Sequence, residues 1–95
     1  MPDPEGQAFR AYVHGRVQGV GFRWSAIRQA KALRLRGMVA NRADGSVEVI
    51  AEGPRKELAL FVAWLEKGPP GSHVSRVDLE WITPTGSYDE FTVEF

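Results

Sequence analysis

Gly15-Arg16-Val17-Gln18-Gly19-Val20-Gly21-Phe22-Arg23 places three glycines within seven residues, directly after an alternating apolar run and directly before a helical pattern. Such a stretch joins a strand to the N-terminus of a helix. Glycines let consecutive backbone N–H groups turn inward without Cβ obstruction, and the first N–H groups of a helix have no intrahelical partner. The helix dipole adds positive potential at the same place. Arg16 and Arg23 flank the loop, and a guanidinium can grip two oxygens of a phosphoryl group at once. The chemistry on offer is anion binding; the alternative is a set of glycines that serve only tight packing. The string is neither a dinucleotide fingerprint nor a Walker loop, since it has no G-x-G-x-x-G and no Gly-Lys-Ser/Thr.

Outward from the loop, the pattern stays regular. Before it, Phe9, Ala11 and Val13 alternate with Arg10, Tyr12 and His14, a strand with one buried face. After it, Phe22, Ala26, Ala30 and Leu33 recur at steps of four, four and three, with Arg28, Lys31 and Arg34 displaced around the cylinder: an amphipathic helix of about three turns. Leu35 to Asn41 reads as a short strand, Asn41 to Gly45 as a turn, and Val47, Val49 and Ala51 alternate with Glu48, Ile50 and Glu52 to close a hairpin. Gly53-Pro54 stops that strand and suits a helix start, with Pro54 at the first helical position. Leu58, Phe61, Val62 and Leu65 form one stripe of a second helix, which Gly68-Pro69-Pro70-Gly71 ends. Val77, Leu79 and Trp81 alternate as a fourth strand and Phe91, Val93 and Phe95 as a last one, separated by a turn from Pro84 to Asp89.

The order is β-α-β-β-α-β plus a C-terminal strand. Each helix has one apolar face, so both pack on one face of an antiparallel sheet: an α+β, ferredoxin-like split βαβ sandwich. That fold hosts many unrelated activities and names none. The 95 residues make one domain, 1–95, with residues 1–6 expected as a frayed lead-in.

Composition narrows the chemistry. The chain is 43% apolar and 25% charged, as in ordinary soluble globular domains, and it contains no cysteine, which excludes a disulfide, a thiolate nucleophile and cysteine-ligated metal. No apolar run is long enough to span a membrane and the acidic, proline-rich start is unlike a signal peptide, so a cytoplasmic location is expected. The net charge is zero, yet eight basic residues and no acidic one lie between Arg10 and Ala43. A positive field around the loop would hasten capture of a small anion. A solvated basic face and a nucleic-acid contact are the alternatives.

Conventional catalytic groups are scarce. His14 and His73 are far apart in sequence, no carboxylate cluster offers metal ligands, and neither Ser25 nor Ser46 has a base beside it. An enzyme built this way works by positioning and electrostatics, which suits a phosphoanhydride: charge in its loose transition state spreads over the peripheral oxygens. By residue type alone Arg23 is equally a solvated arginine, Arg16 a flexible surface cation, Asn41 a turn residue and Trp64, Trp81 and Phe61 packing residues.

From about Phe9 to Phe95 the chain resembles the acylphosphatases, small enzymes that hydrolyse the carboxyl-phosphate anhydride. Gly15 to Arg23 is similar to their signature loop, and Leu33-Arg34-Leu35-Arg36-Gly37-Met38-Val39-Ala40-Asn41 is similar to their second motif, L-G-L-x-G-W-V-x-N. The resemblance implies that Arg16, Val17, Gln18, Gly19, Val20, Gly21 and Phe22 bind the substrate phosphate through backbone N–H groups. It implies also that Arg23 completes the cradle and Asn41 orients the attacking water. No cofactor, metal or phosphoenzyme is implied. Three positions depart from the family pattern: Arg34 replaces a helix-ending glycine, Met38 a tryptophan, and Ala26 a threonine. They bear on packing and support, and loss of the threonine hydroxyl would loosen Arg23 or the loop.

The expectation is therefore a monomeric acylphosphatase acting on a small acyl phosphate, with no nucleic-acid or membrane partner. Two other classes compete. Acylphosphatase-like domains also occur as modules of larger carbamoyl-transferring maturation proteins, where the loop would serve anion binding. An RNA-binding sheet would need the K/R-G-F/Y-G/A-F-V-x-F/Y string, which does not occur in the chain.

Overall fold

The computed structural model describes residues 6–95. Seven elements follow one another: β1 (Gly6–Arg16), α1 (Phe22–Ala32), β2 (Arg36–Asn41), β3 (Val47–Pro54), α2 (Arg55–Lys67), β4 (His73–Ile82) and β5 (Phe91–Glu94). The strands form one sheet in the order β4-β1-β3-β2-β5. The fold is the α+β, ferredoxin-like one. The expected frayed lead-in ended at Gly6, but Gly6 opens β1 and pairs with Pro54; the rest of that lead-in lies outside the described residues.

Registry between strands explains the core. Pairing aligns Trp81, Phe9, Ala51, Gly37 and Phe91 across the sheet, then Leu79, Ala11, Val49, Val39 and Val93. Because side chains alternate between faces with a period of two, these rows share one face. Phe9, Ala11, Val39, Val49 and Ala51 on it are buried, together with Phe22, Ala26, Ile27 and Ala30 of α1 and Leu58, Phe61 and Leu65 of α2. Phe61 is the hub: its ring meets Phe91 edge-on at 5.6 Å, tilts against Phe9 at 6.2 Å and stacks on Trp64 at 6.1 Å, arrangements that the aromatic quadrupole favours. Gly37 belongs to the close packing, because a Cβ there would collide with the Ile50 carbonyl.

Four details depart from the sequence expectation. β5 runs parallel to β2, so the sheet is mixed and not wholly antiparallel. β5 lies at the edge opposite β4, beyond β2, and the connecting chain crosses at Glu52. That side chain is 1% exposed, although alternation pointed it to solvent. Its carboxylate accepts hydrogen bonds from the Thr85 N–H at 2.9 Å, the Thr85 hydroxyl at 3.0 Å and the Gly86 N–H at 3.1 Å. Pro54, expected at the first helical position, is instead the N-cap of α2 with extended dihedrals, and the helix starts one residue later at Arg55. Trp81, expected as packing, is 40% exposed; its ring meets Phe9 edge-on at 5.8 Å and carries the Arg55 guanidinium 3.5 Å above it.

Candidate active site

The loop expected to hold an anion runs from the end of β1 to Gly21, the N-cap of α1. Gly15 has φ 124° where β1 shifts register against β4, and a Cβ there would collide with the His73 carbonyl. Gly19 and Gly21 have φ 75° and 74° with open space where a Cβ would stand. Left-handed dihedrals at alternate residues turn successive N–H groups to one side. The Gly21 carbonyl accepts the first helical bond, from Ser25 N–H at 3.1 Å. Gly21 supplies no side-chain cap and the first turn of α1 carries no acidic residue. The N–H groups of Phe22, Arg23 and Trp24 thus head the helix with its dipole uncompensated.

The loop is anchored from beneath while its backbone faces outward. Val17 and Phe22 are each 1% exposed, and Phe22 packs on Trp64 at 5.6 Å. Val20 also packs against the core. Gln18 uses its side chain, not only its backbone: Nε2 donates to the Arg42 carbonyl at 2.8 Å and to the Ser46 carbonyl at 2.9 Å. These bonds tie the loop to the β2–β3 turn. Ser46, 2% exposed, is itself fixed by Asp44, whose Oδ1 accepts from the Ser46 N–H at 2.9 Å and hydroxyl at 2.6 Å. Those two bonds favour the charged form and hold the Asp44 carboxyl below the usual aspartate range.

Asn41 reaches the same place by strand parity. It is the last residue of β2, paired with Val47, which pairs in turn with Val13. Val13 and Val47 are fully buried on the helix side, so Asn41 projects from the helix-side face at the end of the sheet beside the start of α1. β1 and β2 are both antiparallel to β3 and therefore point the same way. Their carboxyl ends lie together, next to the N-terminus of the helix that joins them.

Together, Val17, Gly19, Gly21, Phe22, Arg23, Trp24 and Asn41 line a cavity of about 170 Å³. Arg23 is in the first turn of α1 with its guanidinium carbon 5.5 Å from the Phe95 ring. Among the described residues neither Arg16 nor Arg23 forms an ion pair, whereas Arg42 is bound to Glu48 at 2.9 Å. Arg16 is exposed on the loop and, with Gln18 and Val20, is outside the cavity lining. Two features escaped the sequence reading. The Gln18 latch depends on carbonyls 24 and 28 residues away, for which no local pattern exists. Trp24 stood next to Arg23 in plain view, but only its 57% exposure and its place in the cavity lining set it apart from Trp64, which packs on Phe61. His14 does not join the cavity and lies 3.0 Å from Asp78. Among the described residues no group of three His, Cys, Asp or Glu could hold a metal ion, and no helix is long and apolar enough to cross a membrane.

A two-layer α+β domain with a glycine-rich loop and a small cavity at the carboxyl ends of two parallel strands is the class that fold and site define. Comparison with known proteins narrows it: the family model for acylphosphatase matches residues 9–93. An acylphosphatase of Cupriavidus pinatubonensis is 49% identical over 78 residues, covering 82% of this chain and 84% of the relative. The structure of an acylphosphatase from Coxiella burnetii superposes with a TM-score of 0.90 at 38% identity, covering 95% of this chain and 94% of that one. The crystal structure of acylphosphatase from Bacillus subtilis gives 0.90 at 37% identity over 94% and 99%. The chain belongs to the acylphosphatase family, enzymes that hydrolyse acyl phosphates.

Proposed function

We propose that this chain hydrolyses the carboxyl-phosphate bond of a small acyl phosphate at the cavity between the 15–21 loop and the end of β2. The phosphoryl oxygens sit against the loop N–H groups and the Arg23 guanidinium. Asn41 orients a water on the phosphorus, roughly in line with the leaving oxygen. As the water oxygen bonds to phosphorus, the P–O bond to the acyl group breaks and its electron pair leaves with the carboxylate. A phosphate oxygen of the substrate takes the water's proton, giving a carboxylate and inorganic phosphate. No base is required of the protein, because the carboxylate is a good leaving group and the developing charge is met by fixed donors.

The observation that carries this proposal is the shared cavity: Arg23 from α1 and Asn41 from β2 line it with the glycine loop, although 18 positions separate them in sequence. Arg23 has no carboxylate partner among the described residues to neutralise it. The test is release of phosphate from benzoyl phosphate, with chelator present, by the wild type, Arg23→Ala and Asn41→Ala. Loss of a charge-bearing transition-state donor costs on the order of a hundredfold to a thousandfold in turnover. Arg23→Ala is expected to raise KM and lower kcat; Asn41→Ala is expected to lower kcat chiefly. Full activity in Asn41→Ala sinks its role. A folded wild type that binds inorganic phosphate and hydrolyses nothing would leave an anion-binding module.

A further inference from the structure

We propose that Trp24 selects substrates by their acyl group, its indole forming the wall against which an aromatic or extended apolar acyl group packs as it leaves the phosphate cradle. The proposal rests on the acyl phosphate reading above and deepens it.

Trp24 is 57% exposed. Large aromatic side chains seldom stand so far in water without a partner. The other two tryptophans have partners: Trp64 stacks on Phe61, and Trp81 lies between Phe9 and Arg55. Among the described residues Trp24 makes no aromatic pair. It does line the cavity with Arg23 and Asn41. Successive helical residues project about 100° apart, so Trp24 and Arg23 face neighbouring directions from the first turn.

Cavity size makes that position matter. At roughly 30 Å³ for each water in the liquid, 170 Å³ equals the space of five or six waters. A phosphoryl group and the carboxyl atoms attached to it fill such a space. Whatever follows the carbonyl carbon extends beyond it, and Trp24, a lining residue that is 57% exposed, offers its indole to that portion. An acyl group of one methyl reaches little of this surface, whereas a phenyl ring covers it.

The experiment compares kcat/KM for benzoyl phosphate and acetyl phosphate in the wild type, Trp24→Ala and Trp24→Phe, with circular dichroism confirming the fold. The two substrates differ in intrinsic reactivity, so the quantity read is the change of their ratio between proteins. One aromatic pair is worth about a two- to tenfold effect. Trp24→Ala is expected to lower the benzoyl-to-acetyl ratio by that factor, mainly through KM for benzoyl phosphate, while Trp24→Phe keeps most of it. An unchanged ratio, or an equal loss on both substrates, overturns the proposal while leaving the hydrolase reading intact. A wild type that hydrolyses neither substrate overturns that reading and this inference with it.

Discussion

Replacing Gln18 tests how the two halves of the site are held together. Its amide nitrogen makes two hydrogen bonds, 2.8 Å to the Arg42 carbonyl and 2.9 Å to the Ser46 carbonyl. A neutral hydrogen bond contributes about 1 kcal/mol net, and a buried acceptor left unpaired costs about 1–3 kcal/mol. The bond to Arg42 is exposed, so water replaces it at little cost; the bond to Ser46 is partly buried. Gln18→Ala should therefore destabilise the domain by about 1–2 kcal/mol. Gln18→Glu should do worse. An ionised carboxylate has no proton to donate, sets its oxygens against two carbonyls and brings negative charge to the loop proposed to hold the substrate phosphate. We expect a loss of about 2–4 kcal/mol in urea unfolding, with kcat for benzoyl phosphate falling more than KM rises because the loop is no longer fixed relative to Asn41. Lowering the pH towards 4 should restore part of the Gln18→Glu activity relative to wild type, since a protonated glutamate regains a donor. Gln18→Glu with wild-type stability and kinetics at pH 7 would refute the latch.

Three further expectations are independent of catalysis. Arg34 has φ 59° and completes a Schellman ending of α1, with its N–H on the Lys31 carbonyl at 3.0 Å and the Leu35 N–H on the Ala30 carbonyl at 2.9 Å; Arg34→Gly should gain about 1 kcal/mol in chemical denaturation, and a loss would contradict the strain assigned there. Glu52→Ala removes the acceptor of three hydrogen bonds to Thr85 and Gly86; we expect a loss of about 2–3 kcal/mol, with amide exchange in 83–90 rising first. The Asp44 carboxyl, held low by Ser46, stabilises the fold fully above its unfolded-state pKa and less as pH falls through the depressed folded value, below about pH 4. A carbon-detected titration placing Asp44 at or above the ordinary aspartate value would contradict it.

Local pattern carried most of the architecture. The alternation of Phe9, Ala11 and Val13 and the stripe of Phe22, Ala26 and Ala30 are short-range signals, and the glycines between them mark the join. What stayed illegible depends on partners distant in sequence. Phe91 to Glu94 shows alternation but says nothing about which edge it will join, and a crossing from β4 to β2 makes the pair parallel. Glu52 alternates like a surface residue and becomes buried only because Thr85 and Gly86 fold over it. Within the candidate site the glycines and Arg23 are visible as a motif. By residue type alone Asn41 is a turn residue; the second motif singles it out, and strand parity shows how it reaches the cavity. Gln18 falls within the signature loop, but its side-chain latch has no local signal until the β2–β3 turn lies beside it.

Parity at Asn41 has a further consequence for how the site can be lost. The residue faces the cradle because β2 and β3 pair Val39 with Val49 and Asn41 with Val47. A slip of one residue in that hairpin would carry Asn41 to the opposite face. The spacer that sets this phase is the short turn from Arg42 to Ser46, where the Arg42 N–H meets the Ser46 carbonyl at 2.9 Å. Insertions and deletions in that turn therefore act on a different axis from substitutions. One added residue can disarm a domain whose every side chain is intact, while lengthening elsewhere, in the exposed connection after β4, leaves the alignment of the two strands untouched.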